Sequence, residues 1–307
     1  IEDTLATREE IAGLFGAEVA DLVEGVTKLS KFSAADTREE KQAENFRKMV
    51  VAMAKDIRVL LVKLADRTHN MRTLDHMKPE AQERIAQETL DIYAPLANRL
   101  GIQWVKTELE ELAFKYLRPT DYADLAGRIA AMERAKERFV AEVVGIIREK
   151  LEGQGLKPDV SGRVKHAYSV WRKMRQLDVD FDQIQDVIGF RVIVASVAEC
   201  YESLGVIHSL WKPVPGRFKD YVAIPKPNGY QSLHTTVIGP YGVPVEAQIR
   251  TEQMHHLAEA GVASHWMYKS TDAELNEAQQ RTHKWLQSLL DIQSTTGDAA
   301  EFLEHIK

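Results

Sequence analysis

The stretch at residues 215–234 restricts the fold of this chain more than any other. It reads PGRFKDYVAIPKPNGYQSLH, and its three prolines and two glycines exclude a helix and the interior of a central strand. Arg217, Lys219 and Lys226 can meet phosphates, and Tyr230 offers a flat face to a base. We therefore expect an irregular loop for a planar, anionic ligand, with a solvated basic loop as the alternative.

Short runs of β-forming residues lie on both sides of this loop. Their residue types and the helical segments between them predict a mixed sheet flanked by helices. The predicted strands are 160–165, 187–194, 233–238 and 243–249, and the predicted helices are 166–177 and 199–210.

The first half of the chain has a different period. Apolar residues recur at helical spacing through residues 4–117. Successive helices are predicted at 83–100, 107–116 and 122–151, and Pro95 breaks the first of them. The chain is therefore predicted to be α+β, with an all-helical region at 1–118, a helical linker at 119–155 and a mixed-sheet domain with C-terminal helices at 156–307.

Charge and cysteine usage narrow the functional classes. The formal net charge of −6 argues against a general nucleic-acid-binding surface, but residues 162–177 carry five Lys or Arg and no acid. A local basic patch on an acidic protein indicates a small phosphate ligand.

A single cysteine, Cys200, excludes an internal disulfide and fits a reducing compartment. Because no apolar run is long enough to span a bilayer, we expect a cytoplasmic protein without membrane partners.

Two acidic residues are predicted to lie near the basic patch. Asp186 precedes one predicted strand, and Glu246 shares a strand face with Gln248. Neighbouring carboxylates of this kind can hold magnesium against substrate phosphates, although each alone is more often a solvated acid. Together with the cations they suggest phosphoryl transfer.

A second polar group is predicted on a helix in the first half. Asp66, Asn70 and Thr73 have i, i+4 and i+7 spacing and share one helix face. A carboxylate, an amide and a hydroxyl in this arrangement can hold a metal ion and a phosphate, but the spacing alone is weak evidence.

Five blocks of this sequence, in order along the chain, resemble the long RelA/SpoT homologues, which make and degrade the alarmone (p)ppGpp. They are KLADRTHNMRTL, RVKHAYSVWRKM, DVIGFRVIV, GRFKDYVAIPKPNGYQSLHTTV and VEAQIRTEQMHHLAEAGVASHW. The resemblance implies an HD-type hydrolase domain in the first region and a nucleotidyltransferase-like synthetase domain in the last.

For the hydrolase region the resemblance implies a metal-dependent release of pyrophosphate from (p)ppGpp, with manganese as the metal. Glu2 and Asp3 resemble the end of an HDxxEDT motif and would be a catalytic acidic pair. Asp66 would ligate the metal, while Asn70 and Thr73 would contact nucleotide. The histidine ligands are expected upstream of Ile1, and regulatory domains that contact ribosomes or proteins are expected beyond Lys307.

For the synthetase region the resemblance implies transfer of pyrophosphate from ATP to the 3′-hydroxyl of GDP or GTP. Asp186 would bind magnesium and Glu246 would be the general base. Tyr230 would stack on guanine. The other implied nucleotide contacts are Arg163, Lys165, Ser169, Lys173, Arg191, Arg217, Lys219, Asn228, His234 and Gln248. Ser169 could instead be a helix-surface serine, and Arg191 a sheet-face ion pair.

The form RFKD at residues 217–220 resembles that of bifunctional family members. The predicted function is therefore synthesis and hydrolysis of ppGpp and pppGpp. Two alternatives stay open: an enzyme in which one of the two activities is lost or weak, and a nucleotide-sensing module without turnover.

Overall fold

The computed structural model describes residues 6–27, 56–184 and 186–261. The backbone divides into two compact units, one reaching Leu100 and the other beginning at Gly101. The predicted domain limits at 118 and 155 stay predictions, because a division by compactness does not test where the functional regions end. Within the described ranges, no helix is both long and apolar enough to cross a lipid bilayer.

The described part of the first unit is all-helical. Its helices are α1 (Arg8–Phe15), α2 (Ala17–Thr27), α3 (Arg58–Arg72), α4 (Pro79–Glu88) and α5 (Ala94–Arg99). A π-helical turn, Thr89–Tyr93, separates α4 from α5, so the predicted break near Pro95 is present. Pro95 is the second residue of α5 and directly follows the π-helical turn, in which the Ala94 N–H donates to the backbone oxygen of Thr89.

Helix α3 buries one face and exposes the other. Leu60, Leu64 and Met71 are at most 1% exposed and belong to the core of the first unit. Asp66 and Asn70 lie on the exposed face. The 3.6-residue period therefore presents the predicted polar group to solvent.

The second unit combines a sheet with helices. Its described helices are α6 (Gln103–Leu117), α7 (Pro119–Glu152), α8 (Ala167–Leu177), α9 (Val197–Leu210) and α10 (Glu252–Ala260). Its strands are β1 (Asp159–Val164), β2 (Ile188–Val194), β3 (Lys219–Asp220), β4 (Leu233–Ile238) and β5 (Pro244–Thr251). The predicted α+β class is confirmed.

The sheet is mixed, with strand order β1-β2-β5-β4-β3. Strands β2 and β5 are parallel, and the other neighbours are antiparallel. Within residues 215–234 the strands are β3 and the first two residues of β4, and Lys219 pairs with His234. The rest of the loop is irregular, as its prolines and glycines predict.

The two faces of the sheet have different roles. One face is apolar and packs against the C-terminal half of α7 and against α9, with Val143, Ile147 and Cys200 in the same core as Phe190 and Ala247. The other face carries the polar residues of alternate positions. The helical cover on one side thus leaves the opposite side of the sheet for a ligand.

Helices α6 and α8 are joined by a carboxylate. Glu111 of α6 accepts hydrogen bonds from the backbone N–H groups of Ala167 (3.2 Å) and Tyr168 (3.1 Å), at the start of α8. His166, the N-cap residue, makes no side-chain cap, so Glu111 satisfies two N–H groups that the helix leaves open. This contact fixes the basic helix α8 against α6.

Candidate functional site

The strand register assembles two polar rows on one face of the sheet. In the first row Arg163, Gly189 and Glu246 are neighbours across β1, β2 and β5. In the second row Arg191, Gln248, His234 and Lys219 are neighbours across β2, β5, β4 and β3. Residues that are directly opposite in a sheet point to the same side. Six predicted site residues, far apart in sequence, therefore share one surface.

The acidic pair is joined by a lysine. Lys165 Nζ donates to Asp186 Oδ2 at 2.5 Å and to Glu246 Oε2 at 3.1 Å. Lys173 Nζ also donates to Asp186 Oδ2. Burial raises the pKa of Asp186, but the hydrogen bonds from Lys165 and Lys173 outweigh it and leave the pKa below its usual value. Both acids are thus held close to a shared cation.

Asp186 has capacity for a further ligand. Its Oδ1 atom is buried and meets no donor within the described ranges. A buried carboxylate oxygen without a partner is uncommon, because its desolvation is uncompensated. The pair Asp186 and Glu246 therefore fits a divalent cation that takes one or two protein carboxylates and completes its shell with substrate oxygens.

A cavity of about 450 Å³ opens beside the acidic pair. Five predicted residues line it: Arg163, Lys165, Ser169, Lys173 and Gln248. Gly189 lines it as well, and its lack of a side chain leaves room between Arg163 and Glu246. Oε1 of Gln248 is buried and, among the described residues, without a partner. The volume and the cationic lining suit a small phosphate-bearing ligand.

Sequence reasoning missed one wall of this cavity. Gln103, Lys106 and Thr107 of α6 line it from the side opposite the sheet. No motif signals them, and the amphipathic pattern of α6 resembles that of any surface helix. The spacing of Lys106 and Glu110, i and i+4, is ordinarily a sign of a local ion pair.

The proline-rich loop places its aromatic residues near Glu246. Tyr230 Oη and His234 Nε2 are 2.8 Å apart, and His234 Nδ1 lies 4.0 Å from Glu246 Oε1. Burial and the nearby cations Lys226 and Arg250 lower the pKa of His234 to about 4, so its imidazole is neutral at pH 7. The loop thus presents a neutral donor or acceptor beside the acidic pair.

The ring of Tyr230 is partly covered. Lys226 Nζ lies 5.0 Å from the centroid of this ring and 4.6 Å from that of Tyr221. Asn228 Oδ1 accepts a hydrogen bond from the Tyr230 N–H at 3.2 Å and shapes the turn. Arg217 and Lys219 are exposed at the start of the loop. A base that stacks on Tyr230 would have to share the ring with Lys226.

Arg191 forms the sheet-face ion pair that the sequence left as one of two possibilities. Its Nη2 lies 3.4 Å from Glu259 Oε1 of α10. Arg250, which is 2% exposed and was missed, lies 3.6 Å from the same oxygen and 2.8 Å from His255 Nδ1. An arginine two positions beyond Gln248 on β5 must point to the polar face, and this periodicity could have identified it.

The polar group of the first unit remains on the surface. Asn70 Nδ2 donates to Asp66 Oδ1 at 3.3 Å, and Thr73 Oγ1 donates to the backbone oxygen of His69 at 3.2 Å. Within the described ranges, no three His, Cys, Asp or Glu residues cluster to hold a metal ion. Glu2 and Asp3 lie outside the described residues.

An acidic pair beside a cationic cavity, on the polar face of a mixed sheet, is the arrangement expected of a phosphoryl-transfer enzyme. The comparisons with known proteins agree. A model of the HD domain matches residues 1–103, and a model described as a region found in RelA / SpoT proteins matches residues 162–273. The two domain models follow the order that the sequence predicted, and the resemblance to RelA/SpoT proteins is confirmed.

Curated relatives match along the whole chain. The GTP pyrophosphokinase of Myxococcus xanthus is 58% identical over 309 residues, which cover 100% of this chain and 41% of the relative. The bifunctional (p)ppGpp synthase/hydrolase SpoT of Escherichia coli (strain K12) is 52% identical over 307 residues, which cover 100% of this chain and 44% of the relative. The chain therefore spans less than half the length of these relatives.

Among solved structures, the small alarmone synthetase 1 from Bacillus subtilis aligns with 55% of this chain and 95% of its own. The TM-score is 0.39 and the sequence identity is 22%.

Proposed function

We propose that this chain is a bifunctional enzyme that synthesises (p)ppGpp from ATP and GDP or GTP and hydrolyses it back to GDP or GTP and pyrophosphate. The observation that carries the synthetase half is the contact of Asp186 and Glu246 with one ammonium, that of Lys165, at the wall of a cationic cavity. The names of the relatives, a pyrophosphokinase and a synthase/hydrolase, agree with both reactions.

In the synthetase reaction the 3′-oxygen of GDP or GTP attacks the β-phosphorus of ATP. The bond from that phosphorus to the oxygen that bridges it to the α-phosphorus breaks, and AMP leaves. Glu246 takes the proton of the 3′-hydroxyl as general base. Lys165 and Lys173 neutralise the phosphate oxygens, because both line the cavity and both point their ammonium groups toward Asp186.

Asp186 and Glu246 would hold a divalent cation, for which we propose magnesium. The unpartnered Oδ1 of Asp186 supports this, since hard oxygen ligands suit magnesium. When bound, the ion would neutralise charge on the transferred phosphates.

The proline-rich loop supplies the acceptor side. Tyr230 stacks on guanine, and Asn228 and the neutral His234 orient the nucleotide through hydrogen bonds. Their support is the chain of contacts from Asn228 through Tyr230 and His234 toward Glu246. Arg217 and Lys219, exposed at the loop entrance, attract the phosphates of the incoming nucleotide.

In the hydrolase half, Asp66 would ligate a second metal ion, for which we propose manganese. Such an ion supplies a hydroxide near neutral pH when bound. Asn70 donates to Oδ1 of Asp66, and Oδ2, which lies 3.8 Å from Lys63 Nζ, is the oxygen that we propose for the ion, while Thr73 contacts nucleotide. Glu2 and Asp3 are the proposed acidic pair of this site.

We place the enzyme in the cytoplasm, where ATP and guanine nucleotides are abundant.

The test is product analysis. The purified chain is incubated with ATP, GDP and magnesium, and separately with ppGpp and manganese, and nucleotides are separated by chromatography. AMP with ppGpp in the first reaction, and GDP with pyrophosphate in the second, support the proposal. One reaction without the other would reduce it to a single activity, and nucleotide binding without either would identify a sensing module.

A further inference from the structure

Helix α6 contributes one cation, Lys106, to the cavity beside the acidic pair. The other cations of the cavity come from the sheet and from helix α8. The side chain of Lys106 is 15% exposed and lines the cavity together with Arg163, Lys165 and Lys173. Gln103 and Thr107, one turn before it and one residue after it, line the same wall. The wall of α6 is therefore polar where it meets the cavity.

The carboxylate nearest to the Lys106 ammonium, that of Glu110, also lies near a second cation. Lys106 Nζ lies 3.7 Å from Glu110 Oε2, and Arg172 Nη1 lies 3.6 Å from Glu110 Oε1. One carboxylate thus faces two cations, and neither distance is that of a short, direct hydrogen bond. Burial lowers the pKa of Lys106 and raises the pKa of Glu110. The attraction between these two side chains therefore does not fully offset the cost of removing both charges from water.

The cavity as a whole has an excess of positive charge. Its lining holds five cations: Lys106, Arg163, Lys165, Arg172 and Lys173. The carboxylates in contact with them are Glu110, Asp186 and Glu246. Among the described residues these three carboxylates are fewer than the five cations, so the lining keeps a net positive charge that favours an anionic ligand.

We propose that Lys106 is a phosphate-binding residue for the nucleoside triphosphate that donates pyrophosphate, an inference that rests on the proposed synthetase function. Arg163, Lys165 and Lys173 face the triphosphate from the sheet and α8, and Lys106 faces it from α6. The Lys106 side chain is 15% exposed and lines the cavity, and its ammonium is the group that would meet a phosphate.

The test is calorimetric titration with α,β-methylene ATP and magnesium. Lys106→Met keeps the length of the stem and removes the charge. We expect its affinity to fall about tenfold, the loss of one charge-assisted hydrogen bond. The matched control is Lys115→Met, a change of the same kind at an exposed position of the same helix, and its affinity should equal that of the unaltered chain.

A purely structural role for Lys106 gives a different pattern. If Lys106 only compensates Glu110, the double variant Lys106→Met/Glu110→Gln regains normal affinity, because the buried carboxylate that lost one of its two cations is then neutral. If Lys106 binds phosphate, the double variant stays about as weak as the single one. Regained affinity, or normal affinity in Lys106→Met, would overturn the inference. Failure of the unaltered chain to bind the analogue would instead refute the proposed synthetase function.

Discussion

At the scale of single residues, the proposed synthetase chemistry depends on two acids that play different parts. Asp186 has a buried oxygen without a partner among the described residues, and Glu246, which contacts Lys165, is the proposed general base. We expect Asp186→Asn and Glu246→Gln each to lower the rate of ppGpp synthesis by about a hundredfold or more. Release of pyrophosphate from ppGpp should be nearly unchanged, because both acids belong to the second compact unit. Parallel assays of the two reactions decide this, and equal loss of both in a folded variant would contradict the assignment.

Cys200 allows a residue-scale test of the core. It is the single cysteine of the chain and is 0% exposed beneath the sheet. Burial raises the pKa of its thiol to about 11. We expect iodoacetamide at pH 8 to alkylate it slowly in the native protein and quickly in urea, as measured by intact mass. The pKa of this thiol is about 9.0 in the unfolded chain and about 11 in the folded core. Raising the pH between these values ionises the thiol in the unfolded chain first, which should also favour unfolding. Similar alkylation rates with and without urea would show that the core opens readily.

At the scale of elements, the position of α8 depends on a residue of α6. The carboxylate of Glu111 accepts two hydrogen bonds at the N-terminus of α8, which carries Ser169 and Lys173 into the cavity. Removal of a helix cap costs about 1 kcal/mol. We expect Glu111→Ala to lower the free energy of unfolding by about this amount and to raise KM for ATP more than it lowers kcat. Urea denaturation and steady-state kinetics measure both, and Glu133→Ala, at an exposed position of α7, is the control. Unchanged KM in a destabilised variant would limit Glu111 to folding.

The elements themselves were largely predictable, whereas their contacts were not. The predicted run 233–238 is β4, and 166–177 differs from α8 by one residue, because alternation and turn residues are local signals. The loop at 215–234 was predictable for the same reason. Lys165 was assigned to ATP, but its contact with Glu246, 81 residues further along the chain, is one that no local pattern encodes. Lys106 was missed because α6 has the ordinary pattern of a helix that packs on one side.

At the scale of the whole molecule, the chain is proposed to hold two opposed activities. If both ran together, the chain would consume ATP without net product. The predicted helical linker, 119–155, contains all of α7, a helix of 34 residues that contributes to two cores of the second unit. Packed helices tend to switch between discrete arrangements rather than to deform smoothly. A switch of this kind would let a nucleotide bound in one proposed site change the affinity of the other.

We predict that such coupling exists and that it is reciprocal. An ATP analogue should weaken binding of a non-hydrolysable ppGpp analogue at the hydrolase site by about 1–3 kcal/mol, and the ppGpp analogue should weaken binding of the ATP analogue by the same amount. Titration of each ligand with and without the other measures both directions. Gly189→Leu is the control, since its side chain would project into the ATP cavity from a position where an added Cβ meets Glu246 O at an ordinary 3.7 Å. In that variant the ATP analogue should no longer affect ppGpp affinity. Equal affinities in both titrations of the unaltered chain would mean that the two sites act independently.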